Sequence, residues 1–204
     1  MKYVYIMGRG HSGSTVLDAI LGHTSSIESV GELVSGMARL DAPCSCDCTM
    51  RVCPYWINIR NRFESCSGYS WGYAASKTKA QAHVKGFLVT WVKSKVEMRE
   101  LINITTHLAE SVLEASGKSV MLDSSKTPAR ALFLVRHFPD SRTVHLVRHP
   151  EAVLASNYWR IQSGKGFKFL RQTYRHAWLT PILLTVSAIS WLTGNLLAEL
   201  GEAK

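Results

Sequence analysis

The octapeptide GRGHSGST, residues 8–15, sets three glycines and three hydroxyl side chains directly behind an apolar run. Its frame is that of the phosphate-binding turn G-x-x-x-x-G-K-[ST], except that Ser14 occupies the lysine position. A glycine turn that feeds a helix presents converging backbone N–H groups and the positive end of the helix dipole, so phosphate or sulfate binds there with no lysine at all. The serine does bear on which anion is held. In ATP or GTP hydrolysis the lysine stabilises the β and γ oxygens while a hydroxyl helps to hold magnesium. A cofactor with a single 5′-phosphate bearing one transferable group asks for less. The plainer alternative is a tight turn with no ligand; the strand before the loop, the helix after it and the three hydroxyls favour the anion.

A second candidate anion site lies in LVRHPEAVLASNYWR, residues 146–160. Arg148 falls just past a strand, and Ser156 and Arg160 stand four apart on one helical face. Two planar guanidinium groups and a hydroxyl suit a phosphate, although the same pattern also describes a solvated basic face. Between the two sites fall Glu32, behind a short strand, and Lys126, in DSSKTP. A carboxylate at Glu32 is placed to take a proton from an acceptor hydroxyl, against the alternative of an exposed loop glutamate. Lys126 is placed to supply the charge that the first loop lacks. Asp123 resembles a strand-end magnesium ligand, but without the loop lysine it is read as structural.

These groups need elements to hold them. Residues 3–7 are β-prone and stop at Gly8, after which Val16, Leu17, Ile20 and Leu21 recur at helical spacing. IESV, residues 27–30, makes a second short strand before Gly31 and Glu32. Leu101, Ile104, Leu108 and Val112 form a helical stripe that Gly117 is placed to end. SVML follows as a strand terminated by Asp123, Ser124 and Ser125, Thr127 and Pro128 open a helix, RTVHLV (142–147) is the next strand, and Pro150 opens another helix. Alternation of this kind implies a parallel sheet with right-handed crossovers, whose ligands collect at the carboxyl ends of the strands. The loops at 8–15, 123–128 and 148–156 all fall there. The expected fold is therefore α/β: a P-loop-like, three-layer arrangement with a central parallel sheet flanked by helices, in one domain, with residues 41–100 as a Cys-rich, helical cap insertion.

Composition narrows the partners. With 46% hydrophobic and 19% charged residues over 204 positions, the chain has the makeup of a globular domain rather than a disordered one. Its net charge of +9 attracts an anion, and ten of its basic residues fall within 126–175 against two acidic ones. There is no block of consecutive basic residues, so a nucleic-acid tail is unsupported. The N-terminal apolar run is too short for a signal peptide, and five cysteines crowded mainly between Cys44 and Cys66 fit a reducing compartment. A cytoplasmic location is expected.

Taken together, these residues resemble the sulfotransferases that use 3′-phosphoadenosine 5′-phosphosulfate (PAPS), especially bacterial members related to carbohydrate and protein-tyrosine sulfotransferases. The resemblance covers residues 1–40 and about 100–200 and rests on three motifs in order. GRGHSGST is similar to the family's 5′-phosphosulfate loop, VGEL to the segment with its catalytic glutamate, and LVRHPEAVLAS to its 3′-phosphate site. The resemblance implies that Arg9, Gly10, His11, Ser12, Gly13, Ser14 and Thr15 surround the 5′ side of PAPS, and that Arg148, Ser156 and Arg160 hold the 3′-phosphate. It makes Glu32 the general base and Lys126 the group that steadies the bridging oxygen, with a hydroxyl-bearing acceptor and no metal in the transfer. His11 stands where the family commonly has arginine or lysine, so a protonated imidazole or nearby Arg9 must supply that charge, and activity is expected to depend on pH near histidine's range. His149 replaces a frequent aspartate. Relatives generally continue further, so the C-terminal part of the family domain is expected to be missing here. The rival readings are a kinase with a variant loop, which requires magnesium at Asp123, and a noncatalytic nucleotide-binding or membrane-associated remnant.

Two features stand outside those motifs. CSCDCTMRVCPYW lacks the paired C-x-x-C spacing of common zinc folds, so Cys44, Cys46, Cys48 and Cys53 are read as part of the substrate-side cap rather than as metal ligands. A similar segment ending in C-P-[FY]-W recurs in the bacterial relatives. Trp56, Tyr69, Trp71 and Tyr73 either line an acceptor cleft or pack in the core, the latter being expected for most. Residues 177–198 carry no formal charge and are long enough to span a bilayer, but Pro181, Gly194, Asn195 and several hydroxyls favour a buried helix.

Overall fold

The structure, a computed structural model, describes residues 2–82, 95–162 and 180–202. Strands β1 (Lys2–Gly8), β2 (Ile27–Ser29), β3 (Val120–Lys126) and β4 (Ser141–Leu146) form one sheet in the order β2-β3-β1-β4, and every pairing is parallel. The helices are α1 (Ser14–Gly22), α2 (Leu33–Met37), α3 (Pro54–Ser67), α4 (Trp71–Ala82), α5 (Lys95–Ser116), α6 (Pro128–His137), α7 (Pro150–Gln162) and α8 (Thr180–Glu202). The fold is α/β with a parallel central sheet flanked by helices. Because β1 to β2 runs one way across the sheet and the next two crossovers return, right-handed connections set α1 on one face and α5 and α6 on the other.

Alternation along β1 decides where the core lies. Tyr3, Tyr5 and Met7 join one buried cluster with Leu101, Ile104, Leu108 and Val112 of α5 and with Phe133 and Leu134 of α6. The apolar stripe of α5 is thus the face turned to the sheet.

The structure departs from the sequence reading at the end of β3 and along α8. β3 does not stop at Met121 and Leu122 but continues through Lys126. Tyr5 pairs with Asp123 and Met7 with Lys126, so β3 carries an extra residue there. Such a bulge bends a strand and re-aims the side chains after it.

The stretch 41–100, expected as a cap insertion, contributes side chains to the main core. Cys53, Trp56, Ile59, Phe63 and Trp71 share the buried cluster of Tyr3 and Tyr5. Trp71 meets Trp56 and Phe63 edge-on at ring-centroid distances of 6.4 and 5.9 Å, and its indole donates to the Met37 carbonyl at 3.2 Å. Large aromatic area is more favourably buried than exposed. Tyr69 stacks on Tyr73, whose hydroxyl donates to Glu100 at 2.5 Å.

Finally, α8 is buried on one side only. Ile182, Val186, Ile189, Leu192 and Leu196 are 48–58% exposed, whereas Asn195 is buried and pairs with His145 Nε2 at 3.0 Å. Ser187 accepts from Asn157 at 2.6 Å, and the Trp191 indole donates to the Arg148 carbonyl at 3.1 Å. A run apolar on all sides has no preferred face of its own, so its few hydrogen-bonding residues set which side turns inward. No helix among the described residues is long and apolar enough to cross a membrane.

Candidate functional site

The glycine loop is shaped by two left-handed residues. Gly13, at φ 97°, precedes α1, and its carbonyl accepts from Val16 and Leu17 at 3.0 and 3.2 Å. The first amides of α1 have no acceptor within the helix and remain available to an anion. His11 adopts φ 69°, an uncommon conformation for a residue with a side chain. Its carbonyl accepts from the Arg148 guanidinium at 2.9 Å, which ties the loop to the segment after β4. Gly8 permits this approach. A Cβ there would lie 2.6 Å from the Leu146 carbonyl oxygen and 3.3 Å from Ser12 Oγ.

A different set of bonds positions Glu32. The Val30 amide donates to the Leu122 carbonyl at 2.9 Å, and Gly31, at φ 62°, accepts from the Ser124 amide at 2.8 Å. Glu32 then precedes α2 and accepts from the Gly36 amide at 2.9 Å. Ser125 Oγ accepts from the Val34 amide at 3.0 Å while donating to Asp123 Oδ1, which ties α2 to the bulged end of β3. Lys126, just beyond the bulge at φ 72°, forms an ion pair with Glu32. Sequence reasoning singled out both charges but not Ser125, whose role depends on the extra residue in β3.

Asp123 lies beneath, fully buried, accepting from the Tyr3 hydroxyl at 2.8 Å and the Ser125 amide at 2.9 Å. Burial pushes its carboxyl above the ordinary aspartate range, opposed chiefly by the charge of Arg130. Arg130 is buried as well, donating to Thr105 Oγ1 at 3.1 Å and lying 5.4 Å from the Phe133 ring centroid. A carboxylate so enclosed is a poor candidate for the solvent-accessible magnesium ligand that a kinase requires.

One cleft of about 520 Å³ is lined by Gly10, His11, Gly13, Ser14, Thr15, Glu32, Lys126, Arg148 and Ser156. Residues from four separate stretches of sequence therefore meet at the carboxyl ends of the strands. Arg9 and Ser12 are not part of that lining. The Arg9 stem lies against α8, with Cδ 3.7 Å from where a Cβ on Gly194 would stand, and burial holds its guanidinium below the ordinary range. Ser12 Oγ is buried under the loop with no hydrogen-bond partner among the described residues. Arg160 is on α7, but its side chain lies outside the described residues.

A second cleft, of about 630 Å³, opens on the other side of Glu32. Its walls include Asp18, Glu28, Arg39, Cys44, Cys46, Tyr55 and Trp56, and Glu32 is the one residue it shares with the first. Asp18 Oδ2 accepts from Ser29 at 2.8 Å, and burial raises its carboxyl above the usual range. Trp56 and Trp71 are mostly packed in the core, as expected for most of these aromatics, at 7% and 4% exposure, though Trp56 also reaches this cleft.

The chain matches the family model described as "Sulfotransferase family" over residues 4–185. Searches of curated proteins and of solved structures return no match.

Proposed function

Because the chain belongs to the sulfotransferase family, whose chemistry is sulfonate transfer, we propose that it uses PAPS as donor and an acceptor hydroxyl as recipient. The observation that carries this reading is the placement of Glu32, which alone lines both the cleft of the glycine loop and the cleft toward the cysteines. A base at such a junction reaches a hydroxyl in one cleft while the donor occupies the other.

The residues present fit PAPS. The start of α1 and Arg148 put positive potential along one cleft, and Ser12 Oγ is a buried hydroxyl with no hydrogen-bond partner among the described residues. The amides and hydroxyls of Ser12, Gly13, Ser14 and Thr15, with Gly10 and His11, would surround the 5′ side, whereas Arg9 lies against α8 outside this cleft. Arg148, Ser156 and Arg160 would hold the 3′-phosphate. PAPS would supply the activated sulfonate, the acceptor O–S bond forming as the S–O bond to the leaving phosphate breaks. Glu32 would take the acceptor's proton. Lys126, already beside Glu32, would meet the negative charge that grows on the leaving oxygen, and the loop amides would stabilise the sulfonate's charge. Carbohydrate, tyrosyl and small-molecule hydroxyls all satisfy this scheme.

Calorimetry with adenosine 3′,5′-bisphosphate and with ATP, each without and with magnesium, tests the donor. Metal-free binding of the bisphosphate is expected, weakened roughly 10- to 100-fold in Arg148→Ala by loss of a charged hydrogen bond. Preference for ATP with magnesium would overturn the reading.

A further inference from the structure

The four cysteines that the sequence reading assigned to the cap come together in space. Residues 43–49 close a tight hairpin: Pro43 bridges Thr49 antiparallel, the Cys44 amide donates to the Cys48 carbonyl at 2.7 Å, and the Asp47 amide donates to the Cys44 carbonyl at 3.1 Å. Asp47 makes the turn at φ 65°. Cys53 arrives from a separate turn, its amide donating to the Thr49 carbonyl at 3.0 Å, and it is the residue immediately before α3. All four Sγ atoms lie within 4.8 Å of one another. Cys44 to Cys53 is 3.6 Å, Cys46 to Cys53 is 3.5 Å, and Cys46 to Cys48 is 2.9 Å.

A tetrahedral zinc ion with Zn–S bonds of about 2.3 Å holds its sulfurs about 3.8 Å apart. Two of these three separations are already within a few tenths of an ångström of that spacing. The third needs only the exposed Cys46 to turn outward. Cys53 is buried immediately before α3, at the positive end of that helix. Arg39 lines the same cleft as Cys44, Cys46 and Cys53. Sulfur-only ligation selects zinc among common divalent ions and leaves no open position for water.

We propose that Cys44, Cys46, Cys48 and Cys53 bind one zinc ion in a closed four-thiolate site that pins the hairpin at 43–49 to the start of α3. The metal is structural. Its place in the wall of the cleft beyond Glu32 means that it shapes that wall while taking no part in bond making. The site does not depend on the identity of the donor or acceptor.

The test uses the full chain, purified anaerobically from zinc-supplemented medium without chelator. Elemental analysis is expected to give one zinc per chain, and a mercurial thiol reagent is expected to release it as four of the five thiols react. Cobalt(II) added to the zinc-free protein should give thiolate-to-cobalt absorption in the near ultraviolet and the visible bands of a tetrahedral site. Cys46→Ser should weaken zinc binding by more than the roughly 100-fold that changes beyond the ligands produce, whereas Cys66→Ser, outside the cluster, should leave it unchanged. The wild-type cobalt spectrum serves even if Cys46→Ser fails to fold. A zinc-free protein that shows no tetrahedral cobalt spectrum overturns the proposal, whether its cysteines are free thiols or paired in disulfides.

Discussion

Under the proposed mechanism, removing the carboxylate of Glu32 separates proton transfer from cofactor binding, because its partner Lys126 and the glycine loop stay in place. Glu32→Gln is expected to lower transfer from PAPS by about 10²- to 10⁴-fold, the usual range for a general base. Its affinity for adenosine 3′,5′-bisphosphate should change little; turnover at the wild-type rate would remove Glu32 from the reaction. His11 allows a second probe at this scale. Arg9 lies against α8 rather than in the cleft lining, so His11 is the better placed of the two to offer the loop's side-chain donor. The KM for PAPS should therefore rise several-fold in His11→Ala and stay near the wild-type value in His11→Arg, as steady-state kinetics will register.

Between β1 and β4 the decisive element is a close backbone approach. Gly8→Ala forces a methyl group against the Leu146 carbonyl, which is part of the sheet and cannot swing away. A loss of about 1–3 kcal/mol in urea unfolding is expected from this overpacking, together with weaker bisphosphate binding, since Arg148 follows Leu146 by two residues. The end of α6 carries a pH-sensitive group. Burial, reinforced by Arg136, holds the His137 imidazole below its ordinary range. The unfolded chain thus takes up the proton more readily, and stability falls as pH drops below about 6.5 toward the lowered value. The wild-type Tm should decline between pH 7.5 and 5.5 more than that of His137→Gln; parallel declines would show that His137 does not contribute.

Across the whole molecule, Asp123 and Arg130 join β1, β3, α5 and α6 through Tyr3, Ser125 and Thr105. Asp123→Asn preserves the shape but leaves a buried guanidinium without its opposing charge. Equilibrium unfolding should register a loss of about 3–5 kcal/mol. A stable, fully folded variant would show that Arg130 finds its compensation elsewhere. The same enclosure explains why an aspartate at a strand end is here part of the scaffold.

Periodicity and punctuation were enough to read the α/β alternation, three of the strand ends and the loop at 8–15, because these depend on local propensity and on glycine's freedom. Residue chemistry alone singled out Glu32, Lys126, Arg148 and Ser156, the charged and hydroxyl groups that line the cleft with the loop. Other features were not local. The bulge that directs Lys126 exists only because β3 pairs with β1. The outward apolar face of α8 follows from which neighbours accept its few polar side chains. The irregular cysteine spacing hid a cluster that forms when a hairpin folds back onto the start of α3. Sequence by itself determined which groups were available for chemistry; the tertiary structure decided which of them meet, because strand register, close backbone approach and convergence in space are properties of pairs of segments rather than of either one.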